Sequence, residues 1–218
     1  DIDNTGVSGL EKSFDKFLQN EKNNDLILSL DTRIQHIVRD EILAAMKLYK
    51  ATGGSGLIMN VNNGEILAMT SLPDFDPNTK NANDNDKFNK NTLGVYEFGS
   101  VMKIFTAAMA IEMGTVSPHT LVDVSQPVKI GKTNPIKDKN WIGDKISLKE
   151  VIVKSSNVGS ARIISSFEPE EQKKFLESFG FFEETGLELP EANIRSSVGA
   201  DPWTRYKAAM IPIGHGIR

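Results

Sequence analysis

Tyr96-Glu97-Phe98-Gly99-Ser100-Val101-Met102-Lys103 decides how this 218-residue chain is read. A serine hydroxyl is a weak nucleophile at neutral pH, so a neighbour must take its proton as it attacks a carbonyl carbon. Lys103 lies three residues after Ser100, an offset that puts both side chains on one helix face, a turn apart. Ile104, Phe105, Ala107, Ala108, Ile111 and Glu112 carry that helix without a breaker to Gly114, a natural stop. Gly99 permits a sharp turn just before the serine. The reading therefore places Ser100 at a helix N-terminus, where free N–H groups and the helix dipole favour negative charge on a reacting oxygen. A lysine that acts as base must be neutral part of the time, and burial lowers its pKa in that direction.

Taken alone the motif is ambiguous. Ser100 could equally be a helix N-cap, and a second S-x-x-K pair, Ser13 and Lys16, lies in the charged stretch Glu11-Lys12-Ser13-Phe14-Asp15-Lys16, which reads as a solvated helix face. The chain's single S-x-N triplet adds weight. It sits in Lys154-Ser155-Ser156-Asn157-Val158-Gly159, after a helix that starts at the capping box Ser147-Leu148-Lys149-Glu150 and turns Leu148, Val151 and Ile152 toward the core. Ser155 and Asn157 then fall at the end of that helix, where a turn can aim two polar side chains into a cleft. Serine and asparagine also favour plain turns, so this triplet too is undecided by itself.

Around these motifs the chain reads as a mixed α/β (α+β) protein. Gly6 to Asn20 is a linker with a short amphipathic helix bearing Leu10, Phe14, Phe17 and Leu18, and a polar break follows from Glu21 to Asp25. Leu26 to Leu30 reads as a strand. A long helix starts at Asp31 or Thr32, with Thr32 and Gln35 as a capping box and Ile34, Ile37, Val38, Ile42, Ala45, Met46 and Tyr49 as its apolar stripe. Asn63-Gly64 signals a hairpin with positive φ at both turn positions. Asn78 to Asn91 is an Asn-rich loop, and the remainder is mostly helical, including Pro169 to Phe179 with Gly180 as its stop.

Composition and motif searches narrow the chemistry. With 39% hydrophobic residues the chain can build a sizeable core, and a net charge of −4 gives no electrostatic case for nucleic acid. The absence of cysteine removes thiol catalysis, disulfides and cysteine-bound metals. Gly131-Lys132-Thr133 imitates the end of a phosphate loop, but Gln126 stands where the leading glycine is needed and Pro135 opposes the following helix. His36, His119 and His215 are isolated, with no H-E-x-x-H or G-x-S-x-G, so zinc-protease and esterase readings lack their parts. His36 reads as a helix-flank residue. His215, in a Gly-rich stretch, is the one histidine with a functional candidacy.

Ser100 to Lys103 followed by Ser155 to Asn157 resembles the penicillin-recognising serine acyltransferases, whose motif set is S-x-x-K, S-D-N and K-T-G. Further strings resemble the class B penicillin-binding proteins: Gly53-Gly54-Ser55-Gly56-Leu57-Ile58-Met59-Asn60-Val61 with Asn62 to Met69, then Ser71 to Asn78, Thr185 to Pro190, and Ile213 to Ile217. The surroundings of Ser100, the Ser-Ser-Asn-Val-Gly string and Gly6 to Glu11 are similar to the cell-division (septal) branch. Phe98 departs from the family, which commonly has proline there. The resemblance implies a penicillin-binding protein/β-lactamase-like transpeptidase fold, with a helical subdomain and an incomplete antiparallel sheet. It implies residues 1–24 as a linker from an N-terminal pedestal region and residues 25–218 as the N-terminal portion of the transpeptidase domain.

The resemblance also implies a peptidoglycan D,D-transpeptidase of the septum, acylated by β-lactams and needing no cofactor or metal. Ser100 is then the nucleophile, Lys103 its base, Ser155 a proton relay, and Asn157 the residue that holds Lys103 and the substrate amide. Stem peptides and β-lactams are the implied ligands, and divisome membrane proteins, including a septal glycosyltransferase, the implied partners. The implied location is the periplasmic face of the bacterial inner membrane, with a single-pass anchor upstream of Asp1. The third motif does not occur after Asn157, and Lys132-Thr133-Asn134 is no substitute, so the sequence predicts an incomplete active site, a fragment that binds β-lactam weakly or not at all, and a hairpin with an unpaired edge. An elongation-type relative and a β-lactam sensor without turnover stay open as alternatives. A β-lactamase is disfavoured because Glu184-Thr185-Gly186-Leu187-Glu188 lacks the asparagine of the deacylating motif.

Overall fold

The structure, a computed structural model, describes residues 5–6, 9–20, 25–76, 86–193 and 202–217. The polar break expected at 21–25 and the loop expected at 78–91 lie partly outside them. Two compact units form, one from Asp1–Val95 with Gly186–Ile194, the other from Tyr96–Thr185 with Arg195–Arg218.

The first unit begins with short helices α1 (Gly9–Ser13) and α2 (Asp15–Leu18). Helix α3 (Thr32–Tyr49) then packs on an antiparallel pair, β1 (Gly54–Met59) and β2 (Ile66–Leu72). Asp31 caps α3 by accepting from the Arg33 N–H at 2.9 Å. Gln35 does not close a capping box. Its side chain instead clamps β2, donating to the Met69 carbonyl and accepting from the Met69 N–H, both at 2.8 Å. Gly54 and Gly56 let the helix come close, since a Cβ at either would stand 2.8 or 3.0 Å from Ile42. Consequently the stripe is narrower than the sequence suggests. Ile34, Val38, Ile42 and Met46 are half-buried, whereas Ile37 and Tyr49 are 61% and 76% exposed.

Two further segments of this unit also depart from the sequence expectation. Leu26 to Leu30 makes no ladder: Ser29 Oγ donates to the Ile66 carbonyl, the Asp31 N–H reaches the Leu67 carbonyl, and isolated bonds do not make a strand. The hairpin loop is wider than a two-residue reversal. Asn60 N–H to the Glu65 carbonyl closes it at 2.9 Å, and Gly64 alone takes positive φ, at 79°. Beside β2, Ser71 Oγ donates to the Phe88 carbonyl and Asn91 Nδ2 donates to the Thr70 carbonyl. Among the described residues β1 pairs only with β2, and Leu57, Ile58 and Met59 stay well exposed.

The second unit holds α4 (Lys103–Glu112), β3 (Leu121–Asp123), β4 (Lys145–Ser147), α5 (Leu148–Val153), α6 (Asn157–Ile164), α7 (Pro169–Glu177) and α8 (Arg205–Met210). The β3–β4 pair, aligned Val122 to Ile146, escaped a reading that made this region helical, because three-residue strands are too short to show alternation. Met109, Ala110, Val122, Ile146, Val151 and Val158 belong to its larger core. A second cluster, including Met102, Leu176, Trp203 and Ile211, lies under the start of α4. At α5 the Ser147–Glu150 capping box is formed in both directions. Helix α7 starts with Pro169 in its first turn and ends at Glu177, shortly before Gly180 at φ 75°.

Candidate active site

The nucleophile turn is 3₁₀ rather than α-helical. Gly99–Met102 forms the 3₁₀ turn, entered through Gly99 at φ 57°, and α4 begins only at Lys103. Side chains three residues apart eclipse one another in such a turn, which aligns Ser100 with Lys103. Met102, almost fully buried, anchors the turn from below. Gly214, at φ 88°, packs flush against it, since an ideal Cβ there would stand 2.0 Å from the Gly99 nitrogen. His215 Nδ1 lies 3.0 Å from Glu97 Oε2, a contact that ties the residue after Gly214 to the residue two before Gly99.

The second half comes from the α5–α6 junction. Ser155 occupies the left-handed region at φ 53°, a conformation that costs a non-glycine residue about 1–2 kcal/mol. That backbone turn aims its hydroxyl at Ser100, with Oγ to Oγ 2.9 Å. Lys103 Nζ donates to Ser100 Oγ at 2.8 Å and to Asn157 Oδ1 at 2.9 Å. Asn157 Nδ2 donates to the Lys137 carbonyl at 3.3 Å, so the amide is held at both ends. All four residues singled out from the sequence meet in one cluster. Ser13 and Lys16, by contrast, are exposed at the ends of α1 and α2, and the Thr133 hydroxyl is taken up locally by the Ile130 carbonyl.

Two residues of the cluster were not legible in the sequence. Asp138 Oδ1 accepts from the N–H groups of Asn157 at 2.5 Å and Val158 at 3.2 Å, and Oδ2 accepts from the Ser156 hydroxyl at 2.7 Å. Ser156 in turn caps α6 by accepting from the Gly159 N–H. Asp138 thus fixes the start of α6, and with it Asn157. Its separation of 19 residues from Asn157 matches no local motif, so only the fold reveals it.

Burial shifts Lys103 toward its neutral form. Its side chain is 2% exposed, and burial pushes its pKa below the ordinary 10.5 because the ammonium loses water; the negative charge of Asp138 acts in the opposite direction. A neutral Lys103 can accept the Ser100 proton across 2.8 Å, and Ser155 is placed to pass a proton on. The described residues contain no group of three or more His, Cys, Asp or Glu that could hold a metal ion. The geometry fits nucleophilic acyl transfer at Ser100.

Comparison with known proteins identifies the family to which the fold belongs. The family profile of the penicillin binding protein transpeptidase domain matches residues 54–218. The chain belongs to that family. It is 29% identical over 216 residues to the probable peptidoglycan D,D-transpeptidase FtsI of Caulobacter vibrioides, covering 97% of this chain and 36% of that protein. To the probable peptidoglycan D,D-transpeptidase PenA of Neisseria flavescens it is 31% identical over 195 residues, covering 89% and 48%. The crystal structure of a peptidoglycan glycosyltransferase from Burkholderia ambifaria superimposes with a TM-score of 0.72 at 28% identity, covering 88% of this chain and 56% of that one. The chain therefore has the mixed α/β fold of penicillin-binding transpeptidase domains, and spans between about a third and a half of the curated relatives' lengths.

Proposed function

We propose that the chain carries the acylation half of a septal peptidoglycan D,D-transpeptidase. The observation that carries this reading is the Ser100–Lys103–Ser155–Asn157 cluster, with its lysine buried and within 2.8 Å of the serine. Lys103 takes the Ser100 proton as Oγ attacks the penultimate D-Ala carbonyl of a stem peptide. Ser155 relays a proton to the departing D-Ala amine, and Asn157 holds both Lys103 and the substrate amide. An amine of a neighbouring stem then attacks the acyl-enzyme, which forms the crosslink and frees Ser100. β-Lactams acylate the same oxygen.

Similarity to FtsI and PenA supports the D,D-transpeptidase chemistry and the septal role; in this reading the domain acts in the periplasm, with divisome membrane proteins, including a septal glycosyltransferase, as partners. In the same reading a single membrane anchor precedes the chain, residues 1–24 link it to a pedestal region, and residues 25–218 are the first part of the transpeptidase domain. Labelling with a fluorescent penicillin in the natural polypeptide that contains this chain tests the chemistry. Covalent label should vanish in Ser100→Ala and persist in Ser13→Ala; undiminished label on the Ser100→Ala protein, read by intact mass, would reject the nucleophile.

A further inference from the structure

Trp141 is 80% exposed, the most exposed large apolar side chain among the described residues of its unit, and Val153 at 74% is the next. The chain's other tryptophan shows the usual arrangement: Trp203 is 7% exposed and donates its indole N–H to Gln172. Leaving an indole in water forgoes roughly 2–3 kcal/mol of burial free energy, so a well-held exposed tryptophan calls for a partner. The loop that carries Trp141 is well held. Lys137 accepts from Asn157 Nδ2, Asp138 binds Ser156, Asn157 and Val158, and the Ile142 carbonyl accepts from Lys154 Nζ at 3.4 Å. That last bond joins the loop to the end of α5, with Trp141 and Val153 each one residue away from it. Ser155, whose hydroxyl reaches Ser100, follows Lys154 directly.

Charge selects the partner. Between Lys129 and Lys154 lie seven lysines and three acidic residues, a positive segment in a chain of net charge −4. Two of the three acids are committed, Asp138 to the start of α6 and Glu150 to the Ser147 capping box and to an ion pair with Lys154 at 3.2 Å, which leaves Lys139 the less compensated of the two cations beside Trp141. Lys139 and Lys154 are exposed on either side of Trp141 in sequence and in hydrogen bonding. A flat indole flanked by cations suits a polymer that offers both carboxylates and the C–H faces of sugar rings. We propose that Lys139, Trp141, Val153 and Lys154 form a binding surface for the anionic glycan strand and stem peptides on which the Ser100 site acts. This rests on the function proposed above and adds to it a strand-holding surface beside the chemistry.

Acrylamide quenching of tryptophan fluorescence tests it, because Trp141 is open to solvent and Trp203 is not. Uncrosslinked glycan strands bearing stem peptides are titrated into the Ser100→Ala protein, so that no turnover occurs. Protection of the quenchable component is expected in the parent, and co-sedimentation with the strands, which needs no tryptophan, should show affinity falling about tenfold in Trp141→Ala, as for truncation of an interface anchor. Binding should also weaken several-fold in Lys139→Glu and with strands whose stem carboxylates are amidated. Trp141→Phe, which keeps an aromatic face, should co-sediment within about threefold of the parent, while its loss of the quenchable component identifies Trp141 as the source of the fluorescence signal. Absence of binding, equal affinity in Trp141→Ala, or protection by anionic lipid vesicles but not by strands would each overturn the proposal. Penicillin labelling of otherwise unsubstituted Ser100 protein separates the two readings. Label without strand protection removes the surface and keeps the acylation chemistry; strand protection without label does the reverse.

Discussion

Replacing Asp138 by asparagine should weaken the fold and shift the acylation pH profile in a direction fixed by charge. Asp138 accepts three hydrogen bonds, from two backbone N–H groups of α6 and from Ser156. Bonds to an ionised acceptor contribute about 1.5–3 kcal/mol each against about 1 for a neutral one, and asparagine has a single acceptor oxygen. Asp138→Asn should therefore cost about 2 kcal/mol, and Asp138→Ala, which leaves all three donors without this partner, about 4. For a chain of this size those losses lower Tm by roughly 4–8 and 8–16 °C. Acylation should slow by about 10- to 100-fold, because the start of α6 sets the place of Asn157 and so of Lys103.

The pH readout separates this role from simple destabilisation. Asp138's charge favours the protonated Lys103, so removing it lowers the lysine pKa further. The acid limb of the acylation rate, which follows loss of the Lys103 proton, should move to lower pH in Asp138→Asn. Stopped-time labelling with a fluorescent penicillin across pH, alongside thermal melts, provides both readings. A limb that stays in place or moves upward, or a melt indistinguishable from the parent, would refute the assignment of Asp138.

Two further substitutions test the nucleophile's frame. Lys103→Met should abolish acylation yet raise stability by about 1 kcal/mol at neutral pH, because it removes a buried amine whose charged form burial disfavours. A lysine pKa lowered in the fold means that the unfolded chain binds more protons up to the ordinary 10.5, so the parent gains stability as pH rises through that interval and the advantage of Lys103→Met should shrink; melts at several pH values check this. Gly214→Ala should cost about 3 kcal/mol and most of the Ser100 labelling, since a Cβ at φ 88° would enter the Gly99 backbone; normal melting and labelling together would contradict it.

What could be read from the sequence was what depends on neighbours in the chain. The Ser147–Glu150 box, the Pro169 start and the Ser100–Lys103 alignment each involve residues no more than three positions apart, and all are present. The pairing of Ser155 and Asn157 with that serine was legible through two motifs and their resemblance to a family. What depends on distant partners was not. Gln35 looked like half of a capping box until β2 offered it a peptide to clamp. Leu26 to Leu30 had a strand's composition but found no ladder, and Asp138 belongs to no local motif that would mark it. Gly214 gave only the hint of a glycine, and its packing on Gly99 is set by residues 115 positions apart.

The left-handed backbone of Ser155 sets two selections against each other. Glycine would relax that position, where φ is 53°, but would delete the hydroxyl that meets Ser100. A library sorted for heat tolerance alone would thus drift toward glycine at 155, while one sorted for penicillin capture would retain serine. The gap between those two outcomes measures how much conformational ease this junction gives up to keep one oxygen in position.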